Sequence, residues 1–130
     1  MRMNANKIRV HSRAFAAKLS IFLLSLGVTA TFIINLCSSI FGCGCRSWWA
    51  GAAQHCNIHT AGVKHCPWCS YGNAGFLSAL ALILAPQFAI CFWPGAPAWK
   101  YRLLLSLAAF PVFGALVALV YGMVSGYWRT

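Results

Sequence analysis

Three long apolar runs divide the chain. The first extends from Leu19 to Phe41, the second from Ala74 to Trp93, and the third from Leu103 to Val124. A helix needs about 20 apolar residues to cross the hydrocarbon core of a bilayer, and runs of this length read as transmembrane helices. The pattern predicts an all-α integral membrane protein with three transmembrane helices. Its expected layout is a basic cytoplasmic segment (1–18), helix 1 (19–41), a Cys/His-rich extracytoplasmic loop (42–73), helix 2 (74–93), a cytoplasmic turn (94–102), helix 3 (103–124) and a short extracytoplasmic tail (125–130).

The cations set the orientation. Arg2, Lys7, Arg9, Arg13 and Lys18 precede the first run, and Lys100 and Arg102 lie in the second connection. The Cys/His loop holds only Arg46 and Lys64, and the tail only Arg129. By the positive-inside rule the N-terminus is cytoplasmic and the loop faces the other side, as in a bacterial inner-membrane protein whose loop is periplasmic or extracellular. The first run exceeds the roughly 7–15 residues of a secretory h-region and no small-x-small site follows it, so it is expected to remain as an anchor. A lipoprotein-type cut before Cys43 would place the bulky Phe41 where that motif is not usually bulky.

Composition narrows the chemistry. The chain is 61% hydrophobic and 8% charged, with a formal charge of +10 and no Asp or Glu. Without a carboxylate there is no Ser-His-Asp relay, no carboxylate pair and no hard-cation site. The chain therefore reads as a non-enzyme more readily than as an enzyme. Because the cations flank apolar runs, the expected partners are anionic lipid headgroups and other, acidic, membrane subunits rather than nucleic acid.

Small residues mark candidate helix contacts. Gly114, Ala118, Gly122 and Gly126 recur every fourth residue in the third run, and Gly27, Thr31, Asn35 and Ser39 do so in the first. Pro86 and Pro111 predict kinks, with Gln87 placed to satisfy a freed carbonyl. Cys37 and Cys91 read as small apolar residues of the spans.

The loop carries the distinctive chemistry: Cys43, Cys45, Cys56, Cys66 and Cys69, with His55, His59 and His65. Two-residue spacing in Cys56-x-x-His59 and Cys66-x-x-Cys69 lets each pair turn toward one ion, which makes these four the first candidate metal ligands. Cys43, Cys45, His55 and His65 are possible additional ones. Thiolate and imidazole select zinc, copper or iron–sulfur.

Two other readings stand beside this one. Cys66-Pro67-Trp68-Cys69 suits thiol–disulfide exchange, with Cys66 attacking and Cys69 resolving. Alternatively, disulfides simply staple the loop. Trp48, Trp49 and Trp68 read as interfacial anchors. In layout alone the chain resembles three-helix bacterial mercury carriers, but it lacks their adjacent Cys-Cys pair in the first helix, and no family is assigned. The expectation is an accessory subunit of a larger membrane redox or transport assembly that binds a soft metal in its loop.

Overall fold

The computed structural model describes residues 2–95 and 98–129. Met1, Thr130 and residues 96 and 97 of the expected turn lie outside the described residues. The helices are α1 (Arg2–Phe41), α2 (Pro67–Ser70), α3 (Gly72–Phe92) and α4 (Trp99–Val124). Short 3-10 turns at Trp48–Ala50, Ala52–His55 and Asn57–His59 shape the connection between α1 and α2. There is no strand among the described residues. Helices α1, α3 and α4 are each long and apolar enough to cross a membrane. Leu23, Leu24, Leu77, Leu82, Phe88, Leu104 and Leu116 point outward, as side chains facing lipid would.

The basic N-terminal segment is not separate from the first span but continues it as one 40-residue helix. Residues 2–18 hold neither Gly nor Pro, so a helix nucleated in the apolar run propagates through them.

The three long helices meet along seams spaced by four residues. On α1 the buried line is Ile21, Ser25, Thr29, Ile33, Cys37 and Phe41. On α3 it is Gly75, Ala79, Ile83, Gln87 and Cys91. This corrects the expected face of the first span. Gly27 and Ser39 are exposed, and a Cβ on Gly27 would meet nothing within 4 Å. The Thr31 and Ser39 hydroxyls instead donate to their own helix, at Gly27 O (2.7 Å) and Asn35 O (2.9 Å). Self-satisfied in this way, small polar residues can face lipid.

The third span divides the work of its small residues. A Cβ on Gly114 would collide with Leu36 of α1, so this glycine sets the α1–α4 approach. A Cβ on Gly122 would occupy the place of the Trp128 indole, so that glycine seats the tail. Gly126, at φ +71°, ends the helix. Tyr127 N–H donates to Gly122 O (2.8 Å) and Gly126 N–H to Met123 O (3.2 Å), the paired bonds of a Schellman cap.

A polar level crosses the bundle near one end. Gln87 does not serve its own helix. Its Oε1 accepts from Thr29 Oγ1 (3.0 Å) on α1, and its Nε2 donates to Ser106 O (2.9 Å) on α4. Ser106 Oγ donates to Ser25 Oγ (2.8 Å) and accepts from Cys91 Sγ (3.4 Å). Arg102, counted above as a turn cation, is buried. Its Nη1 donates to Ile90 O, Cys91 O and Trp93 O, which covers the open carbonyls at the end of α3.

Candidate metal centre

At the opposite end, the 42–66 connection folds back over the bundle instead of standing away from it. The Trp48 indole N–H donates to Ala30 O (2.7 Å), three turns below the end of α1, and its ring meets Phe76 edge-on at 6.2 Å. Asn35 and Ser47 hydrogen-bond to each other, Nδ2 to Oγ at 2.9 Å. The tail closes the other side. Tyr127 Oη donates to Phe41 O, Trp128 stacks on Phe41, and Lys64 Nζ donates to Tyr127 O (3.1 Å) and Arg129 O.

This folding gathers the sulfurs. Cys37 enters from the last turn of α1, on the same buried line as Ile33 and Phe41. Cys43 and Cys45 follow on the irregular segment that leaves the helix, between and after the left-handed Gly42 and Gly44. Gly44 between them has φ +81°, and a Cβ there would stand 2.7 Å from His55 O. The cysteine pair can therefore press against the His55–Cys56 backbone only because residue 44 has no side chain. Asn57 N–H donates to Cys43 O (2.7 Å), tying Cys56 to the pair. The Asn57 side chain then reaches the next segment: its Oδ1 accepts from Cys66 N–H (3.2 Å) and its Nδ2 donates to Lys64 O (2.7 Å).

Cys66 caps the single turn α2, with Pro67 in the first helical position. The N–H groups of Cys69 and Ser70 both bond Cys66 O, at 3.1 and 2.9 Å. Cys66 and Cys69 thus stand three residues apart at the two ends of one turn. Gly75 admits this turn against α3, since a Cβ there would lie 2.6 Å from Trp68 O.

The result is two overlapping sulfur triads, Cys37–Cys43–Cys66 and Cys43–Cys45–Cys56, with all Sγ atoms of a triad within 4.8 Å of one another. Cys37 Sγ lies 3.0 Å from Cys66 Sγ and 3.8 Å from Cys43 Sγ. All five are buried. Cys69, half-buried, lies outside both triads and lines a cavity together with Cys37 and Cys45. No disulfide joins cysteines among the described residues. Hydrogen bonds from neighbouring thiols, Cys37 first, hold Cys66 and Cys69 below the usual thiol range, Cys69 down to about 4. Burial, and then the thiol of Cys56, pushes Cys45 up.

Of the residues expected as ligands, Cys56 falls in a triad with the additional candidates Cys43 and Cys45, and Cys66 falls in the other triad. The histidines lie outside both triads. His59 Nε2 pairs with Ala53 O (3.1 Å), His65 Nδ1 pairs with Asn57 O (3.0 Å), and both rings are exposed, as is His55. Cys37, read from the sequence as an apolar helix residue, belongs with the loop sulfurs. The signal for it was its position four residues after Ile33 and six before Cys43. Trp68, expected at the interface, is fully buried against Phe41, with centroids 5.8 Å apart. Its indole N–H has no acceptor among the described residues.

A cavity of about 300 Å³ adjoins the cluster. Cys37, Cys45 and Cys69 form its sulfur wall, Ile34, Trp48 and Phe76 its apolar wall, and His59 and Asn73 also line it. Neither a protein-family model nor a curated protein nor a solved structure matches this chain, so the chemistry of the site is read from its own geometry.

Proposed function

We propose that this is a small membrane protein that binds a soft metal directly through its cysteine cluster. The observation that carries this reading is the pair of buried triads with every Sγ of a triad within 4.8 Å. A tetrahedral zinc site with Zn–S near 2.3 Å has sulfur–sulfur edges of about 3.8 Å, the separation of Cys37 and Cys43. A four-iron cluster places each thiolate on a different iron and so farther apart. Against a four-iron cluster, the spacing favours zinc or copper(I).

Buried thiolates with no cation are costly, so the thiols lose their protons to solvent as metal enters. The cavity against Cys37, Cys45 and Cys69 gives an entry path. The cluster sits on the side away from the basic N-terminus, which under the positive-inside rule is extracytoplasmic. The protein serves as an accessory subunit among other membrane proteins, with the cations nearest the apolar spans, Lys18 and Lys100, toward anionic headgroups.

Purification in mild detergent without chelator, followed by elemental analysis and thiol counting on one sample, tests the reading. Zinc or copper bound to the chain, with no acid-labile sulfide, is the expected result. Metal-free protein with its loop cysteines mapped into disulfides would overturn it. A second reading, thiol–disulfide exchange, draws on the 3.0 Å approach of Cys37 and Cys66 and on the partial exposure of Cys69. It requires a Cys66 disulfide, with Cys37 or Cys69, that a partner dithiol reduces, becoming a disulfide itself, and that a quinone re-forms by taking up the two electrons and two protons.

A further inference from the structure

We propose that the cluster holds two soft metal ions joined by the Cys43 thiolate. This rests on the reading of the cluster as a metal centre and concerns how many ions it takes and which sulfur they share.

The geometry assigns Cys43 to both triads: with Cys37 and Cys66 on one side and with Cys45 and Cys56 on the other. The two groups come from different structures. Cys37 and Cys66 belong to the ends of α1 and α2, whereas Cys45 and Cys56 belong to the folded connection. A single tetrahedral ion takes four sulfurs. Five converge in the two triads and Cys69 lines the same cavity as Cys37 and Cys45, so one ion would leave buried thiols beside it without a role. A thiolate has lone pairs for two metals, and Cys43 is the sulfur that the two triads share. Its position is fixed from each side, by Gly44 at φ +81° and by Asn57 N–H on its carbonyl at 2.7 Å.

Charge points the same way. Arg102 is the only buried cationic side chain among the described residues, and it lies at the other end of the bundle. Two divalent ions offset the charge of six thiolates far better than one does. Each ligating thiol releases its proton to solvent, and no oxidation or reduction is involved.

Cadmium(II) titration of the full chain in detergent tests this, read by sulfur-to-metal absorbance and by cadmium-113 NMR. The expected result is two equivalents per chain and two resonances that show mutual metal–metal coupling through the shared sulfur. Cys43→Ser should lower the stoichiometry from two to one or less and abolish the coupling, while Cys91→Ser, at the far end, should keep both. One equivalent in the wild-type chain, or two uncoupled resonances, overturns the bridged pair and leaves the soft-metal reading standing. No binding overturns both. If Cys43→Ser does not fold, the wild-type stoichiometry and coupling alone decide.

Discussion

The bundle buries polar side chains at two levels, and they are completed in different ways. At the Gln87 level, each group finds a partner on a neighbouring helix: Thr29 to Gln87, Gln87 to Ser106, Ser106 to Ser25. At the sulfur level the groups find mainly one another. Thiols are weak donors and weak acceptors, so the five of the two triads cannot satisfy each other as an amide and three hydroxyls can. The first level is self-sufficient and fastens helices. The second is a set of buried sulfurs close enough together to hold a metal ion.

The largest test of this contrast is metal removal. An ion that binds only the folded state stabilises it by about 4 kcal/mol when present at a thousand times its Kd. Stripping it with chelator should lower the melting temperature and open the 42–66 connection to proteolysis near Lys64, with helix content unchanged. Equal melting curves with and without chelator would remove the distinction between the two levels.

Next is Gly44→Ala, which combines a left-handed backbone with a Cβ 2.7 Å from His55 O. Strain of about 1–3 kcal/mol is expected. It should appear as metal affinity weakened by roughly tenfold or more, measured by competition with a chromophoric chelator.

Gln87→Leu should cost about 1 kcal/mol, since interhelical hydrogen bonds in membranes average near 0.6 and reach about 1.7. Metal stoichiometry should not change. Metal loss in this variant would mean that the two levels are not independent. The smallest effect is Gly27→Ala, where no atom lies within 4 Å of the new Cβ. It should be neutral or stabilising by up to about 1 kcal/mol, whereas Gly114→Ala, against Leu36, should destabilise. Thermal unfolding of the two in parallel would check which face of each span is packed.

The three apolar helices were legible in the sequence because length and hydropathy alone define them. The packed face of α1 was not. In lipid both faces of a helix are apolar, so the periodic contrast that marks a soluble helix is missing. The choice of Gly27, Thr31, Asn35 and Ser39 over the Ile21–Ser25–Thr29–Ile33 line followed residue size only. The same blindness hid Cys37, whose membership in the cluster depends on which way its helix faces. The loop cysteines were legible as a group because nothing else in the chain concentrates sulfur. Their partition into two triads was not, since it depends on Gly44 and Asn57 bringing distant backbone together. The histidines stand out by spacing alone; the His59 and His65 rings pair with backbone carbonyls, and His59 also lines the cavity beside the sulfurs.

The uninterrupted length of α1 bears on the basic charge. Forty residues at 1.5 Å each make a rod of about 60 Å, roughly twice the thickness of the hydrocarbon core. A straight helix that enters the bilayer at Leu19 carries Lys7 about 18 Å beyond the entry point. The screening distance in physiological salt is about 8 Å. On that placement Lys18 would feel the headgroups, while Lys7 and Arg9 would stand off in the aqueous phase at the tip of a stiff mast, beyond the electrostatic reach of the surface from which it rises.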